Sequence, residues 1–323
     1  MGGGWLLLLL VLLAGCGPEP AAPPAATPAP PAPPPHSIGR LNLPPPTPFP
    51  RTVTDSRGKT LTLVKPPQRI VSLAPSNTEL LFALGLGDKI VADTTACDYP
   101  PEAKKKPHIG GFTPNIEAVQ VQNPDLVVAV GSINAKAIET LEKAKVPVLS
   151  IEPKTMEDVY SSIRLLGMAT GQDAKAAQIV QETQARIEAV RRAAATTNTR
   201  PKVLILYELK PTIYTTGPGS FIDDLITVAG GKNIVTTPMP AGSTISSEQV
   251  IALQPDVIIA ASPNAIAQAK QMPGWATGVP AVKNNRFFTP SDASLIDRPG
   301  PRLAQGAEEL AKYLHPEIFD RSR

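Results

Sequence analysis

One sequence pattern occurs twice in this chain, in residues 115–131 and again in residues 246–262. The two segments read NIEAVQVQNPDLVVAVG and SSEQVIALQPDVIIAAS. Each begins with a residue that can cap a helix, places a glutamate in the first helical turn, and continues through Pro-Asp into an apolar strand. The helix dipole favours a carboxylate in that turn, which alone would explain either glutamate. The repetition, however, predicts two similar lobes that present two acidic points, Glu117 and Glu248, on one face.

Strands and helices alternate on both sides of a helical segment. Before it, helical patterns separate the apolar stretches RIVSLA, KIVADT, DLVVAV and VPVLSI; after it, PKVLILYE, IYTTG, DVIIAAS and RFFTP continue the alternation. This order is typical of a mainly parallel sheet covered by helices. Residues 52–67 predict a β-hairpin with its turn at Gly58. We therefore predict an α/β fold with two Rossmann-like lobes, residues 51–154 and residues 199–319.

The segment between the lobes, residues 155–198, carries no strand pattern. Its first part, TMEDVYSSIRLLGMATG, places apolar residues on one face of a helix. The second part, QDAKAAQIVQETQARIEAVRRAAA, contains neither Gly nor Pro and would form a rod roughly 37 Å long. We predict that a long backbone α-helix joins the two lobes and limits their hinge motion.

The N-terminus has the pattern of an export signal. An apolar run from Trp5 to Leu13 is too short to span a bilayer and is followed by small residues and Cys16. Residues 13–16, Leu-Ala-Gly-Cys, resemble the lipobox of bacterial lipoproteins. This resemblance implies a signal peptide over residues 1–15, a lipid on Cys16, and an anchor on the periplasmic or extracellular side of a bacterial membrane. A plain signal peptide or a buried apolar segment is the alternative.

Residues 16–50 are dominated by Pro and Ala after the cysteine. Such a composition favours extended polyproline II and cannot pack a core, so we predict a linker between the lipidated Cys16 and the folded lobes. With Cys16 lipidated, Cys97 is the remaining cysteine and no disulfide framework is expected. Cys97 is either a small apolar filler or a residue that faces the ligand.

Composition argues against several function classes. The net charge of +3 is too weak and dispersed for a nucleic-acid partner. Three scattered histidines give no zinc site, and the common catalytic motifs of hydrolases, metalloproteases and nucleotide-binding enzymes are missing. We therefore expect no enzymatic activity, no metal site and no cofactor. An enzyme on a related two-lobe fold and an adhesive lipoprotein remain alternatives.

Three segments, together with the single helical connection, resemble a known family. They are RIVSLAPSNTELLFALGLGDKIVA, CDYPPEAKKKPHIGGFTPNIEAVQVQNPDLVVA and SSEQVIALQPDVIIA. They are similar to the helical-backbone (class III) substrate-binding proteins of ABC importers, and the resemblance covers residues 51–319. It implies a monomer that binds a small molecule in a cleft between the lobes and delivers it to permease subunits with their ATPases.

Within that class, Asp98-Tyr99-Pro100-Pro101 is most similar to the cobalamin-binding branch. The resemblance then implies a corrinoid, with the cobalt or iron of any ligand arriving as cargo. Cobalamin binders carry a tryptophan just before the segment that corresponds to SSEQV, where this chain reads PMPAGSTISSEQV. An iron-siderophore or haem is therefore the alternative ligand.

The resemblance also assigns roles to individual residues. Tyr99 and Phe112 would line the cleft from the N-terminal lobe, and Tyr207 from the C-terminal lobe. Asp292 and Arg298 would supply an acidic and a basic contact. Structural alternatives are a turn residue for Tyr99, a core residue for Tyr207, and a local ion pair with Asp297 for Arg298.

Glu117 and Glu248 match the family positions whose carboxylates pair with arginines of the two permease subunits. The repeated pattern would then supply one carboxylate to each half of a two-fold transporter. Trp275 is expected to pack under the preceding loop.

Overall fold

A computed structural model describes residues 48–207, 209, 212–238, 242–260 and 262–319. The predicted signal peptide, the lipidated Cys16 and most of the Pro/Ala-rich linker lie outside these residues and stay predictions. The predicted domain boundaries also stay predictions.

The N-terminal lobe contains a β-hairpin followed by alternating strands and helices. Its strands are β1 (Arg51–Thr54), β2 (Thr60–Leu63), β3 (Ile70–Ser72), β4 (Ile90–Ala92), β5 (Leu126–Ala129) and β6 (Val148–Ser150), and its helices are α1 (Pro75–Ala83), α2 (Ile116–Val121) and α3 (Ala135–Lys143). Strands β4-β3-β5-β6 form one parallel sheet in that order, and β1 pairs with β2 in antiparallel fashion. Most residues of the four parallel strands are buried, because helices cover both faces of the sheet.

The predicted hairpin is present, and its turn is held by one carboxylate. Gly58 adopts a φ of 76°, a left-handed conformation that favours glycine. The Asp55 side chain accepts hydrogen bonds from the backbone N–H groups of Arg57 and Lys59 and from the Arg57 guanidinium. It also accepts one from the backbone of Ser150, so the hairpin is tied to the end of β6.

Two packed helices connect the lobes. They are α4 (Met156–Thr170) and α5 (Asp173–Ala194), and the long backbone helix predicted from the sequence is α5, with 22 residues. Helix α4 ends at Gly171, whose φ is 76°. A Cβ atom added to Gly167 would overlap the Ala176 Cβ, so a larger residue at this crossing would force the two helices apart. The predicted apolar face of α4 is buried.

The C-terminal lobe repeats the architecture of the first lobe. Its strands are β7 (Lys202–Leu206), β8 (Ile213–Thr215), β9 (Lys232–Asn233), β10 (Ser243–Ile245), β11 (Val257–Ala260) and β12 (Phe287–Phe288). Its helices are α6 (Phe221–Val228), α7 (Ser247–Leu253), α8 (Pro263–Gln271), α9 (Trp275–Gly278), α10 (Pro280–Lys283), α11 (Ser294–Asp297), α12 (Leu303–Leu314) and α13 (Pro316–Phe319). Strands β12-β11-β7-β9 form a parallel sheet, and β8 pairs with β10 in antiparallel fashion.

One cluster of buried apolar residues extends from the N-terminal lobe through α4 and α5 into α6 and α12. The guanidinium of Arg186 on α5 also donates two hydrogen bonds of 2.8 Å to Glu308 on α12. Because a close-packed core resists deformation, this shared core supports the expectation of a small hinge motion.

Candidate functional site

The repeated sequence pattern forms the same structural element in each lobe. In α2 the Asn115 Oδ1 accepts a hydrogen bond of 3.0 Å from the Ala118 N–H, and in α7 the Ser246 Oγ accepts one of 3.2 Å from the Gln249 N–H. The Gln249 side chain returns a contact of 2.9 Å to the Ser246 N–H, which completes a capping box. The predicted caps are confirmed.

Glu117 and Glu248 lie in the first turns of these two helices and are exposed to solvent. Each helix leads directly into a parallel strand, β5 or β11, so its N-terminus lies at the carboxyl edge of its sheet. Ligands bind at this edge in open α/β sheets. The Glu248 backbone N–H and the Ser246 hydroxyl lower the pKa of the Glu248 carboxyl. The two carboxylates therefore flank the edge that holds the cleft, and their contact with a permease stays a prediction.

Trp275 supports α7 from below. The side chain is fully buried, and its Nε1–H donates a hydrogen bond of 2.8 Å to the Ser247 Oγ. Since Ser247 is the first residue of α7, the predicted packing role of Trp275 includes holding the helix that carries Glu248.

A cavity of about 300 Å³ lies between the lobes at the carboxyl ends of the strands. Its lining includes Ala74 after β3, Val130 after β5 and Pro153 after β6, which face residues 297–299 of the C-terminal lobe. Phe112 and Ile133 also line it and expose 65% and 53% of their surface, which is unusual for large apolar side chains. The cavity thus offers uncovered apolar surface to a ligand.

Five charged residues link the two lobes across the cleft, and we refer to them as the interlobe ion cluster. Glu79 of α1 is 3% exposed and accepts hydrogen bonds from Arg298 Nη1 (2.9 Å), Arg302 Nε (2.8 Å) and Arg302 Nη2 (2.9 Å). The remaining members are Asp98, 2.6 Å from Arg298 Nη1, and Asp292, 2.6 Å from Arg302 Nη1.

Hydrogen bonds within the cluster favour the charged forms of Asp292 and Arg302. Burial raises the pKa of Asp292, but hydrogen bonds from Ser294 and Arg302 outweigh it and lower the pKa to about 2. Burial alone would lower the pKa of Arg302. Its hydrogen bonds to Glu79 and Asp292 outweigh burial and raise the pKa above its usual range. Asp292 and Arg302 are therefore charged at any physiological pH.

The cluster separates the predicted ligand residues into two groups. Phe112 and Arg298 line the cavity of about 300 Å³, whereas Tyr99 and Asp292 line a second cavity of about 350 Å³ beside Arg302. The Arg302 guanidinium stacks on the Tyr99 ring, with its Cζ 3.8 Å from the ring centroid. Four of the five predicted ligand residues therefore lie within or beside the interlobe ion cluster.

Tyr207 lines neither of these two cavities. Its side chain packs, partly buried, against the main apolar core, and burial together with the Asp297 charge raises its pKa above the usual range. The structure favours the core alternative for Tyr207, and a ligand contact stays a prediction.

Arg298 does not form the local ion pair with Asp297 that was considered as an alternative to ligand contact. Arg298 turns toward Glu79 and Asp98, because these carboxylates converge on it from the opposite lobe. Asp297 lines the smaller cavity, and its Oδ1 is buried without a hydrogen-bond partner among the described residues. Burial raises the pKa of the Asp297 carboxyl to about 6, although the nearby Arg298 charge opposes the shift. Asp297 is thus an acceptor that a ligand could use.

Sequence reasoning missed Glu79, Arg302, Asp297 and Ile133. Glu79 had a usable signal, since it stands among buried leucines in the helix TELLFALGL, where an unpaired charge would be costly. Arg302 had a weaker signal in the RPGPR segment, where it follows Arg298 closely.

Cys97 lies behind the cleft wall. Its side chain is buried, and its Sγ is 3.1 Å from the Thr78 Oγ1 and 3.2 Å from the Thr94 Oγ1. Burial raises the pKa of this thiol, which supports its role as a packed, protonated filler.

The described residues contain neither a candidate metal site nor a helix that could span a membrane. Among residues 48–319, apart from the positions that the structure leaves undescribed, His, Cys, Asp and Glu form no group of three or more that could hold a metal ion. No helix in those residues has the length and apolar character needed to cross a membrane.

Comparison with known proteins places this geometry in a family. Residues 70–293 match the family model described as periplasmic binding protein. The chain is 34% identical to the uncharacterized ABC transporter substrate-binding lipoprotein YvrC of Bacillus subtilis, over 98% of both chains. Two solved structures are also similar. The vitamin B12 binding protein BtuF of Vibrio cholerae has a TM-score of 0.68 and 28% identity, covering 80% of this chain and 99% of that one.

The second structure is the haem-binding protein RhuT of Roseiflexus sp. RS-1, with a TM-score of 0.70 and 27% identity, covering 79% of this chain and 99% of that one. These matches confirm the two-lobe α/β fold and the resemblance seen in the sequence. The chain belongs to the periplasmic binding protein family and is a substrate-binding protein of an ABC transporter.

Proposed function

We propose that this protein captures a corrinoid in the interlobe cleft and delivers it to the permease of an ABC importer. The observation that carries the choice of ligand is the charge of the cleft. Both cleft arginines are already paired with carboxylates of the interlobe ion cluster. The two cavities are lined in addition by Glu152, Asp297, Glu308 and Glu309, against one further cation, Lys312.

An acidic cleft selects against anionic ligands. The propionates of haem and the carboxylates of many siderophores need a cation that is free to pair with them, and burying an unpaired charge is costly. A corrin ring is edged with neutral amides, which donate N–H groups to carboxylates and accept hydrogen bonds from arginines. The Asp297 Oδ1, which lacks a partner among the described residues, suits such an amide donor.

The apolar surface of the cleft suits the face of the ring. Phe112 and Ile133 project into the smaller cavity and could cover a flat macrocycle, and Tyr99 offers a second aromatic surface beside Arg302. Similarity to the vitamin B12 binding protein of Vibrio cholerae supports this ligand, and similarity to the haem-binding protein RhuT keeps haem as the competing candidate.

Delivery requires a surface that the permease recognises. We propose that the exposed carboxylates of Glu117 and Glu248 pair with arginines of the two permease subunits. The chain would be exported and held at the membrane by a lipid on Cys16, with residues 17–50 as its tether. Similarity to the lipoprotein YvrC over 98% of both chains supports this arrangement. We expect a monomer.

Calorimetric titration tests the ligand. The lipidated full chain in detergent is titrated in parallel with cyanocobalamin, haemin and a ferric hydroxamate siderophore. Cyanocobalamin should bind at least about tenfold more tightly than either iron compound, a difference of about 1.4 kcal/mol. Tighter binding of haemin or of the siderophore would overturn the corrinoid assignment and leave the family assignment intact.

A further inference from the structure

The docking helix of the N-terminal lobe is fixed at its C-terminal end by two residues from outside the helix. Arg69, which precedes β3, donates hydrogen bonds from its Nε to the carbonyls of Gln122 (2.9 Å) and Asn123 (3.2 Å), and its Nη2 also contacts the Gln122 carbonyl. Asp125, which follows α2, accepts hydrogen bonds from the backbone N–H groups of Gln68 (2.8 Å) and Arg69 (2.9 Å). Its own N–H donates to the Arg69 carbonyl at 2.9 Å.

The C-terminal lobe contains the same arrangement. Lys202, the first residue of β7, donates a hydrogen bond of 3.1 Å from its Nζ to the Leu253 carbonyl at the end of α7. Asp256 accepts a hydrogen bond of 2.8 Å from the Lys202 N–H and donates its own N–H to the Lys202 carbonyl at 2.8 Å. The Asp of each Pro-Asp pair and the basic residue that begins the neighbouring strand thus form a brace, Arg69 with Asp125 and Lys202 with Asp256.

These contacts act where the helices are weakest. Helices α2 and α7 have 6 and 7 residues, and such short helices are marginal without tertiary support. The last carbonyls of a helix lack partners within it, and a cation placed there also interacts favourably with the helix dipole. Each helix is followed by a residue with a left-handed φ, Asn123 (45°) and Gln254 (49°), which turns the chain sharply toward the brace.

We infer that Arg69 and Lys202 are positioning residues for permease docking, which fix the direction of α2 and α7 and thereby the placement of Glu117 and Glu248. The inference rests on the proposed docking role of these glutamates. The two braces differ in strength, because the guanidinium of Arg69 reaches two carbonyls and the ammonium of Lys202 reaches one. Loss of Arg69 therefore has the larger effect.

Hydrogen exchange of the full chain tests the local effect without a permease. R69A should accelerate amide exchange within residues 116–122 by about tenfold or more, since charge-assisted hydrogen bonds to the helix end are lost. R69K should restore most of the protection, and K202A should accelerate residues 247–253 instead. K65A removes an exposed charge four residues away and should change neither segment. Unchanged exchange in R69A would overturn the inference.

A double-mutant cycle on affinity for the importer tests the functional effect. The importer complex of the native host, purified in nanodiscs, is titrated with the wild-type chain, R69A, E117A and R69A/E117A. If Arg69 acts through Glu117, the double variant loses little more affinity than E117A alone, whereas R69A and E248A combine additively because they lie in different lobes. The affinity of every variant for cyanocobalamin should stay within about twofold of the wild-type value. Global destabilisation would instead weaken cyanocobalamin binding as well.

Different results would contradict the docking role of Glu117 and the positioning role of Arg69. If E117A leaves affinity for the importer unchanged, the docking role itself is wrong. If E117A weakens binding but R69A has no effect, or combines additively with E117A, the positioning role is wrong and docking stands.

Discussion

Glu79 and Arg302 form a two-point ion pair between the lobes, with the carboxylate oxygens 2.8 and 2.9 Å from the Arg302 Nε and Nη2. Arg298 joins the same carboxylate and extends the contact to Asp98. In this state the cluster separates two cavities of about 300 and 350 Å³, at the small end of the range for ligand pockets. A ligand that occupies both cavities must displace some of these contacts.

Replacing Glu79 should destabilise the protein. E79Q leaves two partly buried guanidinium groups without their shared carboxylate, and removal of one partner from a buried ion pair costs about 3–5 kcal/mol. Chemical denaturation monitored by circular dichroism measures the change. E157Q removes an exposed carboxylate 3.6 Å from Arg164 and should cost less than about 1 kcal/mol. Equal losses of stability in the two variants would mean that the interlobe ion cluster stabilises the protein no more than an exposed ion pair does.

Neutralising Asp98 should change the ligand preference. Asp98 is half-exposed and lies 2.6 Å from Arg298, so D98N removes one of the two carboxylates that pair with Arg298 and makes the cleft less acidic. The affinity for haemin, which carries two propionates, should rise by about fivefold to tenfold, while that for cyanocobalamin changes by less than about threefold. Parallel titrations measure both values. The exposed Asp88, in a turn before β4, provides the control D88N, and an equal gain in D88N would rule out the specific role of Asp98.

Truncating Phe112 should weaken ligand binding without affecting the fold. The ring is 65% exposed, so F112A should change the free energy of unfolding by less than about 0.5 kcal/mol. A loss of aromatic contact with the ligand should raise the Kd about fivefold to thirtyfold. V64A alters an apolar side chain of similar exposure, 74%, just after β2 and should leave the Kd unchanged. An unchanged Kd in F112A would remove this residue from the site.

Asp297 should make stability depend on pH. Burial raises the pKa of this carboxyl from 3.8 to about 6, with Arg298 lowering it and Asp292 raising it. Its stabilising contribution is therefore complete below pH 3.8 and is lost as the pH rises through about 6. D297N cannot ionise and should exceed the wild type in stability at pH 7.5 by up to about 3 kcal/mol.

Thermal unfolding at pH 4 and at pH 7.5 measures this effect. The two proteins should unfold at similar temperatures at pH 4, and the variant at a higher temperature at pH 7.5. If Asp297 also accepts a ligand amide, D297N binds cyanocobalamin more weakly above pH 6 although it is more stable. A constant difference between the two proteins across this range would refute the pKa shift.

The elements that local patterns specify could be predicted from the sequence. Alternating apolar strands and helices predicted both lobes, and the absence of Gly and Pro predicted α5. The repeated capping residue, glutamate and Pro-Asp predicted α2 and α7 with their exposed carboxylates. All these features depend on neighbours within a few residues, which is the range over which propensity and capping act.

The interlobe ion cluster could not be predicted in this way. Glu79 meets Arg298 and Arg302 across sequence separations of 219 and 223 residues, and no local pattern specifies such a contact. The same distance explains the error over Arg298, since a neighbouring Asp297 is the obvious partner until the fold brings Glu79 and Asp98 close. The two braces could have been predicted from the sequence. Comparing the strands that precede the two repeats, QRIVSLA and PKVLILY, would have revealed a basic residue at each start.

Corrinoid binding in the cleft can be checked by identifying what the protein carries in its own cell. The chain is purified from the native host without added ligand, and the bound compound is identified by native mass spectrometry together with metal analysis. The ligand-bound fraction should contain cobalt and a compound with the mass of a corrinoid. Iron in the form of haem or a siderophore complex, without cobalt, would contradict corrinoid binding.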